Sequence, residues 1–341
     1  MWKKYWYAWL NCTLLLAIIL PGVHTQARAT NAAFLPGFPK AKIGTMAFGS
    51  PTVADLDGDG TLEILTAGYG GCVRAWHADG SPVAGYPLDT TGAGCTGDRI
   101  NGPLAVADIN NDGILEIAAG TRGLSNQPGE RGKVYIWQAN GTLLPGWPQE
   151  MDWNSTYSTG RAEVYSVAFG RMLSGNQFQV VAGTSNNAAN NGDFNQDTRN
   201  LYAWNPDGTL LPGYPTWYRT AGIWGQVGVA DLTGDGLAEA ITGRDHMYMH
   251  AYDAHGTPLP NWPVHTYVNI NQTTWGVHPY IEFTRAAPAI ADINRDGQMD
   301  IVTTGHIRDP QQGYNVIAAG ILVIQADGTR LPGWEVAPTS G

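Results

Sequence analysis

The sequence predicts an all-β fold, a β-propeller of four-stranded blades, and three observations carry that prediction. A short acidic loop flanked by apolar stretches recurs along the chain. An Asp/Asn-Gly-type turn recurs behind each copy at a spacing of roughly 50–60 residues, a blade-sized period. Glycine and tryptophan are abundant (44 and 13 of 341 residues), as tight turns and short packed strands require.

The repeat is read in a fixed order of parts. Pro51–Ile64 is PTVADLDGDGTLEI, Pro103–Ile117 is PLAVADINNDGILEI, Val227–Ala240 is VGVADLTGDGLAEA and Pro288–Ile301 is PAIADINRDGQMDI; a degenerate copy, YSVAFGRMLSGNQFQV, fills Tyr165–Val180. An apolar strand A leads into each loop and an apolar strand B leaves it. An alternating strand C follows: VRAW ending at Trp76, VYIW at Trp137, LYAW at Trp204, MHAY at Tyr252 and ILVI at Ile324. The turns at Asp79-Gly80, Asn140-Gly141, Asp207-Gly208, His255-Gly256 and Asp327-Gly328 tolerate positive φ and so suit hairpins. The last strand, D, is expected to carry LPGWP or a variant of it (Leu144–Pro148, Leu211–Pro215, Leu259–Pro263, Leu331–Trp334), because proline belongs on an edge strand. This gives repeats near 51–102, 103–163, 164–226, 227–287 and 288–341 within one domain, 30–341.

Residues 1–29 read as a secretory signal peptide. Lys3 and Lys4 precede an apolar stretch that ends in Leu14–Leu20, and Ala27-Arg28-Ala29 offers a small-x-small cleavage site. The run is short for a membrane span. Cys72 and Cys95 remain after the leader, and in an oxidising compartment they are candidates for a disulfide. The formal net charge of −10 and the absence of a basic stripe argue against a nucleic-acid partner.

The loop chemistry points to a hard cation. Asp55, Asp57, Asp59 and Glu63 stand at relative positions 1, 3, 5 and 9, with Thr61 offering a backbone carbonyl at position 7. The companion sets are Asp108, Asn110, Asp112, Ile114, Glu116; Asp231, Thr233, Asp235, Leu237, Glu239; and Asp292, Asn294, Asp296, Gln298, Asp300. Calcium takes about 6–8 oxygens in flexible geometry, whereas magnesium demands a tighter octahedron. A helix–loop–helix sensor would place its bidentate acid at position 12 between amphipathic helices, and neither condition holds. Plain acidic turns would have to explain four recurrences of clustered like charges. Four structural Ca²⁺ sites are therefore expected, and they would offset most of the −10. The third repeat, read with Phe169, Arg171 and Leu173 in place of its acids, should bind none; Asp193, Asn195 and Asp197 are a weaker candidate without the glycine and the ninth-position acid.

These loops, D-x-[DN]-x-D-G-x-x-[DE] between strands A and B, resemble the FG-GAP (VCBS-like) repeat of integrin α headpieces and many secreted bacterial proteins. AFGSPTVADLDGDG at Ala47–Gly60 carries a version of the FG…P lead-in. The resemblance implies a propeller, commonly of seven blades, with calcium held in the A–B hairpins, and it implies little about activity. The LPGWP-type motif occurs six times, since Leu35–Pro39 precedes the first of five loop positions. The surplus is read as an incomplete ring with at least one blade beyond Gly341; an entry strand capping a five-bladed ring is the alternative.

In a propeller the A–B loops and C–D turns share one face, and the B–C and D–A connections share the other. Long B–C insertions (Thr121–Gly132, Ser185–Arg199, Ile307–Val316) place the expected ligand face opposite the acidic loops. The candidate ligand-binding residues there are Trp153, Tyr157, Trp217, Tyr218, Trp224, Trp275, His278 and Tyr280, aromatics that suit a sugar or a protein patch. Trp76, Trp137 and Trp204 are expected in the core. His246 and His250 alternate with Tyr248 but lack the pattern of a metalloprotease pair, and no nucleophile elbow, P-loop or Cys-x-x-Cys is present. The reading is a secreted or cell-surface calcium-binding module for adhesion to, or binding of, an extracellular glycan or protein. A polysaccharide lyase or hydrolase on the same scaffold is the alternative; Asp98, Arg99 and Glu163 are charged groups such a pocket could use, but no spacing among them supports a catalytic pair.

Overall fold

Each acidic loop connects the first two strands of an antiparallel meander, and its ninth residue opens the second strand. The computed structural model describes residues 37–38, 40, 49–90, 94–100, 102–123, 129–153, 158–159, 162–185, 187–188, 198–218, 222–223, 225–244, 247–274, 276–282, 287–337 and 339–340. The leader expected at 1–29, His246 and the weaker loop at Asp193–Asp197 lie outside them, as does most of Leu35–Pro39.

The first blade is β1 (Thr52–Ala54), β2 (Glu63–Ala67), β3 (Cys72–Trp76) and β4 (Leu88–Asp89), paired in that order. The second is β5 (Ala105–Ala107), β6 (Glu116–Gly120), β7 (Lys133–Gln138) and β8 (Gln149–Glu150). In the third, β10 (Val164–Gly170), β11 (Gln179–Thr184), β13 (Thr198–Trp204) and β14 (Thr216–Tyr218) make the sheet, while β9 (Ser158–Thr159) and β12 (Asn187–Ala188) pair apart. The fourth is β15 (Gly228–Ala230), β16 (Glu239–Arg244), β17 (Tyr248–Tyr252) and β18 (Val264–His265). The fifth is β20 (Ala289–Ala291), β21 (Asp300–Asp309), β22 (Asn315–Gln325) and β23 (Thr339–Ser340), with β19 (Tyr280–Glu282) on the far end of β21. The one helical element among the described residues is a 3₁₀ turn at Pro310–Gln312.

Two sequence expectations change here. LPGWP is not strand D but the turn that precedes it: Gly146 has φ 89°, Trp147-Pro148 is cis, and β8 spans Gln149–Glu150. The Ile307–Val316 insertion is not an irregular loop, because β21 and β22 run on through it as one long hairpin.

Strand alternation gives every blade two apolar faces, and the core is accordingly divided into layers between blades. One layer joins the first and second blades through Leu65, Val73, Ile117 and Trp137. Ile136, Trp147, Val180 and Trp204 join the second and third, Val181, Leu201, Ala240 and Tyr252 the third and fourth, and Ile241, Met249, Ile301 and Ile324 the fourth and fifth. Trp76, Trp137 and Trp204 are buried. Among the described residues the inner strands β1, β5, β10, β15 and β20 neighbour one another in chain order, and the ring is not closed.

A repeated latch fixes each blade on the next. The aromatic residue of the LPGWP turn donates to a backbone carbonyl in the next blade's C–D turn. Trp147 Nε1 bonds Pro206 O at 2.8 Å, Tyr214 Oη bonds Asp253 O at 2.8 Å and Trp262 Nε1 bonds Ala326 O at 3.0 Å; Tyr86 Oη reaches Ala139 O at 3.2 Å. The glycine of the turn lets the two backbones touch, since a Cβ at Gly146 would collide with the Asp207 carbonyl oxygen. Cys72, at the start of β3, is disulfide-bonded to Cys95, with Cα atoms 5.1 Å apart.

Candidate metal centres

The first loop shows how the chain gathers its carboxylates. Asp55 accepts the N–H groups of Gly58 and Gly60 on its two oxygens, at 2.8 and 2.9 Å. Asp59 accepts Thr61 N–H at 2.7 Å, and Glu63 reaches back across the loop to accept Leu56 N–H at 2.8 Å. These bonds draw the loop around its own acids. Asp55, Asp57 and Glu63 each bring a carboxylate oxygen into one group, all within 4.8 Å of one another.

The other three acidic loops repeat the hydrogen bonds, while among the described residues the close group of three carboxylates is found in the first loop alone. Asp108, Asp231 and Asp292 accept the position-6 glycine N–H at 2.9, 2.8 and 3.0 Å. Asp112, Asp235 and Asp296 accept the position-7 N–H of Ile114, Leu237 and Gln298, each at 2.8 Å. Glu116, Glu239 and Asp300 accept the position-2 N–H of Ile109, Leu232 and Ile293 at 2.9, 2.7 and 2.9 Å. Asn110 and Asn294 each accept the N–H of the Asp two residues on, and Thr233 occupies the same place in the fourth loop. The position-6 glycines have φ between 85° and 90°. Position 4 is left-handed too, at Gly58, Asn111, Gly234 and Arg295 (φ 77°, 63°, 75° and 63°), a requirement the sequence signals only through glycine and asparagine.

The electrostatics fit a cation. Glu63, Glu116, Glu239 and Asp300 are buried. Burial raises Glu116 and Glu239 to about 7, and the aspartates beside each push the same way. Glu116 Oε1 is shut off from solvent and has no hydrogen-bond partner among the described residues, although the Asn110 N–H lies near the carboxylate and lowers its pKa slightly against the burial. A buried anionic oxygen left bare is costly, and a divalent ion between positions 1, 3, 5 and 9 would remove the cost. The donor set is all oxygen, as calcium prefers.

The third loop is built differently. Gln179 Oε1 accepts Met172 N–H at 2.8 Å and Leu173 N–H at 3.0 Å, so Gln179 holds the ninth position. That register puts Arg171, Leu173 and Gly175 where the acids stand elsewhere, and Phe169 belongs to β10, not to the loop. A neutral amide makes the bond that a buried carboxylate makes in the other four. Arg171 donates to Gly236 O in the neighbouring loop at 3.1 Å.

The candidate aromatic residues fall in different surroundings. Tyr280 is buried on β19 and Trp153 packs half-buried against the layer between the second and third blades, so both belong to packing. His278 is half-buried beside Tyr267, with ring centroids 6.4 Å apart. Trp217 and Tyr218 fall on β14; Tyr157, Trp224 and Trp275 lie outside the described residues. His250 is buried and bonds Tyr252 Oη at 3.0 Å. A cleft of about 490 Å³ opens instead on the acidic-loop face, between the second and third blades, lined by Asn110, Pro145, Gln177, Asn205 and Asp207 among others.

Asp98 and Glu163 lie buried on the opposite face, each already engaged. Tyr135 Oη donates to Asp98 at 3.1 Å with Lys133 Nζ 3.9 Å away. Arg122 pairs with Glu163 at 3.0 Å, and Tyr165 Oη donates to the same carboxylate.

Fold and loops together define a β-propeller assembled from acidic-loop repeats. Residues 55–119 match the FG-GAP-like repeat family. No curated protein matches the sequence. Among solved structures, a europium-containing methanol dehydrogenase is similar with a TM-score of 0.51 and 14% identity, covering 84% of this chain and 61% of that one. A quinohemoprotein alcohol dehydrogenase from Comamonas testosteroni is similar with a TM-score of 0.50 and 12% identity, covering 82% of this chain and 52% of that one. The chain thus spans 61% and 52% of their lengths, and what it shares with them is the fold. No helix among the described residues is long and apolar enough to cross a membrane.

Proposed function

We propose that the chain is a secreted or cell-surface β-propeller, clipped by calcium at four A–B loops, that acts as a non-catalytic adhesion or binding module for an extracellular glycan or protein. One observation carries the calcium reading: four loops share one hydrogen-bond scheme around their acids, the first brings oxygens of Asp55, Asp57 and Glu63 within 4.8 Å of one another, and the buried Glu116 Oε1 has no hydrogen-bond partner among the described residues. The Cys72–Cys95 disulfide supports an oxidising location. The scaffold role rests on the engagement of Asp98 and Glu163 in ion pairs and tyrosine hydrogen bonds, a structural use of both carboxylates. The cleft at Asn110, Gln177, Asn205 and Asp207 offers amides and a carboxylate to a hydroxyl-rich ligand.

Thermal melting during calcium titration tests the metal. A ligand held only by the native state must raise the melting temperature, by an amount equivalent to about 2.7 kcal/mol at 100 times its Kd. A melting curve that ignores both calcium and chelator sinks the reading. Glycan-array binding without product release is expected for the module; release of unsaturated oligosaccharides from pectic polymers would replace it with the enzyme.

A further inference from the structure

The third loop has lost its acids, yet it grips the fourth, and the grip brackets a single residue. The Arg171 guanidinium donates to Gly236 O at 3.1 Å, and the Arg171 carbonyl accepts Ala238 N–H at 2.8 Å. Gly236 and Ala238 stand at positions 6 and 8 of the fourth loop, on either side of Leu237 at position 7. Both peptide groups of Leu237 are therefore held from the third blade. The backbones come this close because Gly170 precedes Arg171: a Cβ there would lie 2.0 Å from a Val229 methyl carbon and 3.4 Å from Ala238 Cβ. Among the described residues the first, second and fifth loops are not held in this way. The position-6 carbonyls of Gly60, Gly113 and Gly297 and the position-8 N–H groups of Leu62, Leu115 and Met299 make no hydrogen bond to another blade.

A peptide group is planar, and its N–H and C=O point in opposite directions. Fixing Ala238 N–H on the third blade thus turns the Leu237 carbonyl away from that blade, while Leu237 N–H is fixed on Asp235 Oδ1 at 2.8 Å. The position-7 carbonyl is the main-chain oxygen of the expected ligand set. Its setting matters most in this loop, because Thr233 offers only a hydroxyl at position 3, where Asp57, Asn110 and Asn294 offer a carboxylate or an amide. Calcium affinity follows both ligand charge and the rigidity of the site. We propose that Arg171 is a positioning residue for the fourth loop, a role that rests on the calcium reading above. It sets the Leu237 carbonyl in advance of a cation, and so couples the third blade, whose own loop has no acids, to calcium binding by the fourth. Charge alone argues the other way, since a guanidinium beside an acidic loop repels a second cation. Arg171 is exposed, however, and salt screens an exposed charge while leaving its hydrogen bond in place.

Calorimetric calcium titration of the full chain in about 0.5 M KCl, which cuts the Debye length well below 10 Å, separates positioning from charge. Arg171 is exposed, and Glu239→Gln retains an oxygen for Leu232 N–H as Gln179 does for Met172, so both variants should fold. Glu239→Gln is expected to remove one calcium site. Arg171→Ala should weaken one site by about three- to tenfold, the cost of a carbonyl no longer set in place. It should add nothing in the Glu239→Gln background. Arg171→Lys, which can still donate to Gly236 O, should recover most of the loss. Equal or tighter binding by Arg171→Ala overturns the proposal, and so does a loss that persists in the Glu239→Gln chain. A wild type that takes up no calcium overturns both this role and the calcium reading. Normal uptake that ignores Arg171→Ala strikes this role alone.

Discussion

Glu116→Gln separates the two tasks of the ninth loop residue. In the wild type, Oε2 accepts the buried Ile109 N–H at 2.9 Å while Oε1 is buried without a hydrogen-bond partner among the described residues. Glutamine retains an oxygen for the first task, as Gln179 does for Met172 at 2.8 Å in the third loop. Without metal the substitution removes a buried charge and leaves an amide N–H in the unpartnered place, a net relief of about 1–2 kcal/mol. With calcium at 100 times its Kd the same substitution forfeits up to about 2.7 kcal/mol of binding stabilisation from that site. The effect must therefore change sign. At roughly 2–4 °C per kcal/mol, the variant melts a few degrees above wild type in chelator and a few degrees below it in calcium. Differential scanning fluorimetry in both buffers reads this directly. A shift of the same sign in both would refute the division of labour and, with it, the assignment of Glu116 as a ligand.

Three further outcomes follow from the same geometry. Gln179→Glu should lower the melting temperature in chelator and recover nothing in calcium, because Arg171 and Leu173 supply no companion ligands; recovery on adding calcium would show a fifth site. Trp147→Phe keeps an aromatic ring but loses both the indole bond to Pro206 O and part of a buried ring, costing about 2–3 kcal/mol in denaturant titration, whereas the same change at half-buried Trp334, which has no acceptor among the described residues, should cost less than half as much. Burial holds the Asp98 carboxyl above its usual range, against the lowering influence of Lys133 and Tyr135. The folded state therefore keeps that proton to higher pH than the unfolded chain does, and the stabilisation is present below the unfolded value and fades as pH rises through the folded one. The melting advantage of Asp98→Asn over wild type should widen as pH rises from about 3.5 to 7, and a gap that stays constant would count against it.

Much of this architecture is legible because its repeat is local. The spacing of Asp55, Asp57, Asp59 and Glu63 specifies a hairpin loop by chemistry alone, and the alternation in VYIW places Trp137 in a layer between blades. What escapes is set by contacts between repeats. LPGWP reads as an edge strand from its proline, yet its glycine and aromatic serve the neighbouring blade, which no single repeat reveals. The register of the third loop is hidden for a similar reason. Its ninth residue is recognisable only by the bonds Gln179 makes to Met172 and Leu173, while the acids that would mark the frame are gone. Tyr280 looks like a binding aromatic in a long connection, and only the pairing of β19 with β21 buries it.

The five loops, compared with one another, indicate what a cation would do there. In every one of them the position-2 N–H is held by an oxygen of the ninth residue, at 2.7 to 2.9 Å, whether that residue is Glu, Asp or Gln. The hairpin is thus closed by a hydrogen bond that needs no metal, and the third blade stands beside its neighbours with the same strand order and no acids. Calcium would then hold the loop, not create it: it offsets the repulsion of carboxylates that the backbone has already gathered. The inter-blade latches stand on the same rim, between the C–D turns. One face of the propeller is therefore fixed twice, by loop and by latch, which leaves the connections of the other face free to vary in length without disturbing the scaffold.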